Sequence, residues 1–507
     1  MIIMPTIHDF TRQLPILCIM FACAMPMARS VAKETQGHWP QFRGPSCNGV
    51  ADWQDLPTKW SKDKNIAWKK SLKGEGWSAP VIWNDMVFIT SAVEDESAKA
   101  ARLKKEKEEQ EAEAGEEDGD GNRRRRGRRG GRRGGGRGGN RDNEPPDTVY
   151  RWTLECLDLA TGESKWRKVL HEGRPPIPKH YQNTYATETP VTDGKHVYAY
   201  VAMKGLYCFT VDGKPVWKNE MKVYPMQAGF GTASSPVVHD DLLFLQIDNE
   251  SQSYVVAYDK KSGKEIWRTE RDEASTWSTP IIWEHDKGTE LVLAGRTTRA
   301  YNPATGKEIW HLDMKGGRAN ASPVADGNRL FVGTEDRSRR GNGGGFMFAV
   351  KAGGKGDISL KEEQDKNDFV MWSRPDVGPP AASPVVYRNR IYIAGRRGAR
   401  VHCLSAETGE PIFESQRVPD AAAFWASPWA GNGHVFFLDE DGRTHILKAG
   451  DSFEVVGSND LGELCWSTPS AAGNYLLIRS SENLYAISSQ SVSMKTDELP
   501  TRVAGNR

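Results

Sequence analysis

The sequence predicts an all-β protein, an eight-bladed β-propeller of four-stranded antiparallel blades, and three observations carry that expectation. The first is a polar turn closed by an aromatic residue. Its fullest form is Asp259-Lys260-Lys261-Ser262-Gly263-Lys264-Glu265-Ile266-Trp267, and Asp158…Thr161-Gly162…Trp166, Asp212-Gly213…Trp217, Asn302…Thr305-Gly306…Trp310 and Ser405…Thr408-Gly409…Phe413 repeat the scheme. Gly supplies the positive φ that such a hairpin turn needs. The second is a small residue, then Pro, then an apolar run, at Pro80, Pro190, Pro236, Pro280, Pro323, Pro384, Pro428 and Pro469, 41 to 46 residues apart where nothing is inserted. That period, with strands and no helical pattern between the marks, is the length of a propeller blade. Pro is tolerated because it opens a strand, where its missing N–H costs no ladder bond. The third is length: 507 residues exceed the roughly 250–300 that one core serves, yet no linker splits the repeats. Radial repetition resolves this, because the core then grows with blade number.

Taken in order, residues 1–32 read as a signal peptide. Arg12 precedes the apolar run from Leu14 to Ala28, too short to span a bilayer comfortably, and Ser30-Val31-Ala32 is a small-x-small cleavage site. The protein is therefore expected to be exported to the periplasm or cell envelope, with no transmembrane span after cleavage. A lipoprotein acylated at Cys23 is the weaker alternative, since Met20-Phe21-Ala22 is a poor approach to such a cysteine. A cytoplasmic start would leave an apolar segment exposed without purpose. The propeller is expected over 38–490, followed by a tail over 491–507. His38 to Trp68 ends in Asn65-Ile66-Ala67-Trp68, which matches a closing strand with no opening strands before it; Pro469 to Ile487 offers three strands and no closing Trp. The N-terminal strand should therefore complete the last blade. Trp68, Trp166, Trp217, Trp267, Trp310, Trp372, Phe413 and the Val455-Val456 strand then close eight blades.

Two blades carry insertions. The larger, 94–148, loops out of the first full blade; its first half is Lys/Glu-rich, as in Arg102-Leu103-Lys104-Lys105-Glu106, and Arg123 to Arg141 holds ten Arg among glycines. Such a segment cannot bury a core and is expected to be disordered. It reads either as an arm for an anionic partner or as a solvated spacer. Export argues against nucleic acid, and a net charge of +1 implies no general polyanion partner. A smaller insertion spans Asp336 to Gly345, with a further polar loop from Gly353 to Asp368.

Cys156, Cys208 and Cys403 occupy the third-strand slot that Ala257, Ala300, Ala349 and Ala486 fill elsewhere, and read as small buried residues. Cys47 and Cys465 lie outside that slot, both in the blade that closes the ring, where an oxidising compartment would permit a disulfide. The 11 His show no zinc-like spacing. There is no Gly-x-Ser-x-Gly elbow, no His-Glu-x-x-His and no Walker loop, so no catalytic or metal residue is assigned.

The Asp-x-x-Thr-Gly-x-x-x-Trp turn of Asp158 to Trp166, with its variants, resembles the pyrroloquinoline-quinone-like (PQQ-like) repeat shared by quinoprotein alcohol dehydrogenases and the non-catalytic propellers of outer-membrane assembly lipoproteins. The resemblance covers roughly Trp39 to Ile487 apart from the insertions, and Trp39-Pro40-Gln41-Phe42-Arg43-Gly44-Pro45 is a typical opening. It implies that Trp166, Trp217, Trp267 and Trp310 dock between neighbouring blades. The dehydrogenases add PQQ with Ca²⁺, a vicinal disulfide and often a haem motif. This chain has no adjacent cysteines and no haem motif, which puts the cofactor in doubt and leaves the fold intact.

Trp77, Trp277, Trp425 and Trp466 stand three residues before strand-opening prolines, with Asn320 in the same slot of another blade. If those strands are innermost, these positions gather around one mouth of the central channel, where aromatic faces stack on a planar or sugar-like ligand. Glu188 and Arg318 would add charge to the same rim. The alternative is that the indoles only plug the mouth or pack between blades. Two function classes follow: a binding or scaffold propeller holding an envelope protein or glycan, or a PQQ-dependent dehydrogenase oxidising an alcohol or sugar.

Overall fold

The computed structural model describes residues 37–52, 56–100, 104, 108, 144–201, 204–335, 344–395 and 398–489. The expected signal peptide, most of the charged insertion, the core of the smaller insertion and the C-terminal tail lie outside the described residues. Eight antiparallel sheets form a ring, and the short first strands of successive blades face one another around a central channel. Each begins at, or just after, one of the eight prolines: Val81–Trp83, Val191–Thr192, Val237–His239, Ile281–His285, Val324–Asp326, Val385–Tyr387, Trp429–Gly431 and Ser470–Ala472. Blades 1 to 8 are numbered in that order.

The ring closes as the sequence predicts. Ile66–Ser71 pairs antiparallel with Asn483–Ser488 as the outer strand of blade 8, with Trp68 opposite Ala486 and Lys70 opposite Leu484. Lys69 reaches Glu463 Oε1 at 2.9 Å, and Glu463 also accepts from Asn483, Ser480 and Tyr485. Burial raises the Glu463 carboxyl, but these hydrogen bonds outweigh it and hold it down at about 2.

The closing tryptophans work as latches between blades. The indole N–H of Trp166 donates to Val211 O at 3.0 Å, that of Trp217 to Lys260 O at 3.0 Å, and that of Trp267 to Pro303 O at 2.9 Å. Each ring lies on the turn glycine of the next blade. Gly263 has φ +73°, and a Cβ there would sit 2.6 Å from the Trp217 ring. The glycine therefore serves twice, as a left-handed turn residue and as the only residue that admits the indole. Trp310 departs from the expected docking: its N–H bonds Glu290 Oε2 of its own blade at 2.7 Å. Its neighbour there is Gly354, part of the loop read as merely polar, and Gly356–Asp357 in that loop pairs parallel with Glu308–Asp313 as a fifth strand.

A second departure lies at the N-terminus. The segment before the closing strand crosses the channel instead of skirting the ring. His38–Trp39 pairs with Val81–Trp83 on the channel side of blade 1, giving that blade a fifth strand. Pro40 O accepts from Thr192 N–H of blade 2. Asn48 exchanges two side-chain bonds with the Val386 backbone of blade 6, at 2.8 and 2.9 Å, and Val50 bridges Ala430 of blade 7. Trp60 N–H then meets Asn459 Oδ1 at 3.0 Å on the outer strand of blade 7. Arg43 is buried in this crossing with its guanidinium on Pro384 O and Asn48 O, and burial lowers it to about 9.

Cys47 sits in the crossing, in a core cluster with Trp283 and Leu330, whereas Cys465 packs in the cluster of blades 7, 8 and 1. Both thiols are free and buried, so the disulfide considered for them is not formed. The channel crossing carries Cys47 away from the closing blade, and burial pushes its thiol up to about 12. Cys156, Cys208 and Cys403 are buried in third strands, as expected.

Candidate functional site

The residues just before the inner strands build one end of the channel. At the position preceding each proline stands a hydroxyl residue in every blade but the first, where Ala79 takes its place. Its backbone N–H donates to the hydroxyl of the next blade: Ala79 to Thr189, Thr189 to Ser235, and so on through Thr279, Ser322, Ser383 and Ser427 to Thr468, at 2.9–3.1 Å. These seven bonds form a belt around the channel. It stops between blades 8 and 1. There Arg479, 1% exposed, donates to Ser78 O, Ser78 Oγ, Thr90 O and Ser91 Oγ, and Ser470 Oγ donates to Pro80 O.

Above the belt lies a cavity of about 480 Å³. Trp77, Trp277, Trp425, Trp466, Arg318 and Asn320 all line it; Glu188 does not. Blades 7, 8 and 1 are neighbours, so three of the tryptophans form one continuous wall. Ring centroids lie 5.0 Å apart for Trp425 and Trp466 and 5.3 Å for Trp466 and Trp77, tilted by 32° and 40°. The indole edges are held from behind, Trp77 by Gln182 O at 3.1 Å and Trp425 by Glu440 Oε2 at 3.0 Å. Trp277 stands on blade 4, bonded to Gly231 O at 2.8 Å, with the Arg318 guanidinium 4.9 Å from its ring centroid. Such a cation over an indole fixes both groups. Arg318 is further paired with Glu335 and with Gln227 Oε1 at 3.1 Å. Asn320 Nδ2 donates to Pro380 O at 3.1 Å.

Glu188 is 2% exposed and turned away from the cavity, its carboxylate accepting from Thr232 Oγ1 between blades. It precedes the strand-opening proline by two residues and not three, and that change of side explains the difference. Sequence reading missed His180, Gln182, Asn183, Phe230 and Phe42, which also line the cavity. The first three lie in the connection between Gly173 and Val191, which is longer than the turn chemistry of the repeat requires; Asn183 Nδ2 ties it to Phe230 O at 2.8 Å, and His180 meets the Phe230 ring edge-on at 5.0 Å. Phe42 comes from the channel crossing, which packs against the inner strands beneath the tryptophans and so floors the cavity. Among the described residues no three His, Cys, Asp or Glu are grouped to hold a metal, and no Asp or Glu lines the cavity.

Comparison with known proteins matches residues 151–283 and 251–343 to a family described as outer membrane protein assembly factor BamB. No curated protein sequence matches. Among solved structures the chain is similar to a europium-containing methanol dehydrogenase, with TM-score 0.56, 11% identity, 91% of this chain and 100% of that one covered. It is similar also to the quinohemoprotein alcohol dehydrogenase of Comamonas testosteroni, with TM-score 0.57, 12% identity, 94% and 84% covered. BamB from Moraxella catarrhalis gives TM-score 0.48 at 12% identity over 66% of this chain and 88% of that one.

Proposed function

From a PQQ-like repeat β-propeller whose channel is crossed at one end and walled with tryptophan at the other, we propose an exported binding or scaffold protein of the bacterial cell envelope. Its ligand or partner docks in the cavity at the channel mouth. The observation that carries this reading is the make-up of that cavity: half-buried indole faces, a belt of hydroxyls and no carboxylate among its described lining side chains. Aromatic faces with a few converging polar groups are the composition of a ligand site. The repeat match to a family described as an assembly factor supports a role in binding.

The dehydrogenase alternative asks more of the same cavity. PQQ with Ca²⁺ requires oxygen ligands converging on the metal and a carboxylate to take the proton of the alcohol. Glu335 and Glu440, the acids behind the wall, are engaged by Arg318 and Trp425, and the described cysteines are dispersed and buried. The residues present do not fit that group. The test is tryptophan fluorescence of the purified protein titrated with PQQ and Ca²⁺, alongside dye reduction with a panel of alcohols and aldoses. We expect no Ca²⁺-dependent dye reduction; saturable quinone binding with turnover would overturn the reading.

A further inference from the structure

We propose that the channel-mouth cavity recognises an acidic pyranose, a sugar unit of a glycan carrying a carboxylate or sulfate, with its flat face on the tryptophan wall and its anionic group turned toward the hydroxyl belt. This rests on the binding reading above and names the ligand for it.

The argument begins with the bonding state of the belt. A hydroxyl has one proton to donate and two lone pairs to accept with. Each belt oxygen already accepts a backbone N–H from the preceding blade. None of the seven donates its own proton to an acceptor among the described residues. The belt therefore surrounds the channel axis with unspent donors, and all seven of its residues line the cavity. No side chain repels an anion there: no carboxylate is among the described lining residues, and the one unpartnered amide oxygen is Asn320 Oδ1. Arg318 stands over Trp277 on the same wall, with its charge shared with Glu335.

A neutral sugar can bond the belt both ways, because each belt oxygen keeps one lone pair beside its unspent proton, so what favours an anion is the strength of the bonds it draws from those protons. An ionised carboxylate or sulfate only accepts, and hydrogen bonds to it are about twice as strong as neutral ones. The wall sets the rest of the ligand. Three indole faces on consecutive blades, at 5.0 and 5.3 Å, suit the apolar C–H faces of successive rings in a short saccharide. A planar quinone would use the same faces but leaves the sugar arm of the test to decide.

The test titrates the full chain with a galacturonate trisaccharide, its fully methyl-esterified form and a sulfated galactan oligosaccharide, read by tryptophan fluorescence. The acid or the sulfate should bind at least about tenfold more tightly than the ester, and which of the two binds identifies the source of the charge. Ala381, which lines the cavity, supplies the variant: Ala381→Asp should weaken the acidic ligand at least about tenfold and leave the ester within about twofold, with an unchanged melting temperature. If that variant fails to fold, Ala233→Asp, which lines the cavity from blade 3, serves in its place. Equal binding of acid and ester, no binding of any saccharide, or indifference to both substitutions overturns the proposal. Equal binding would leave the broader binding reading standing, whereas Ca²⁺-dependent dye reduction would remove that reading itself.

Discussion

Seven of the blade junctions share one inner fastening, a backbone N–H on the hydroxyl of the next blade, while the junction of blades 8 and 1 has none of it. Ala79 offers no hydroxyl there. The gap is filled by a buried guanidinium, Arg479, reaching four oxygens of blade 1, and by a strand borrowed from the other end of the chain. The outer fastening survives: Trp68 donates to Leu159 O at 2.8 Å, and a Cβ on Gly162 would come within 2.6 Å of its ring. The contrast teaches that a repeat propagates through small, equal bonds, whereas closure concentrates the work in a few residues. Removing one belt bond should be tolerated; removing a closure part should not.

The largest effect is expected from deleting residues 38–70. That exposes the edge of Asn483–Ser488 and removes the channel crossing, so aggregation or loss of a cooperative melt is expected by calorimetry; melting at the parental temperature would refute strand-based closure. Next, Arg479→Ala should cost about 3 kcal/mol in denaturant unfolding, because buried carbonyls and hydroxyls lose their donor. A loss near that of a belt mutant would erase the distinction between the junctions.

Acid probes the same seam. The Glu463 carboxyl lies at about 2 against an ordinary value of 4.5, so its contribution is fully present above pH 4.5 and is lost as pH falls from there through about 2. Allowing for solvent screening, about 1 kcal/mol is at stake. Glu463→Gln should flatten that part of the pH–stability profile. Smallest are the belt changes: Ser383→Ala should cost about 1 kcal/mol, and Ala79→Ser, which supplies the missing hydroxyl, should shift stability by less than about 0.5 kcal/mol because Arg479 already holds the joint.

The regular parts of the ring were legible because each repeat states its own chemistry: Pro before an inner strand, Gly under an indole, Trp at the close. The ring closure was legible from a strand missing at one end and surplus at the other. The mouth tryptophans share a slot relative to proline, and the slot fixes where they stand. What escaped prediction depends on contacts without periodicity. Nothing local to Asn48 announces a pair of bonds to Val386, or to Arg479 a set of partners beside Ser78. Gly356–Asp357 is too short for a strand signal. Cys47 was misplaced for the same reason, since the segment that holds it reads as an approach to the closing strand and in fact crosses the channel.

The crossing also sets an order of events. Ile66, made early, finds Ile487 only when nearly the whole chain exists. Until then the eight blades are an open row, free to stack on their neighbours but with one unmet edge at the end. Entropy sets only a slowly growing penalty on so long a loop, so the wait is less a matter of stability than of exposure, with an unpaired strand edge available to other chains for as long as the partner is absent. A chain rearranged to begin at blade 1 and end with the present residues 38–71 would shorten that search to the length of the crossing, and would carry the blind end of its channel as a late addition to a ring already formed.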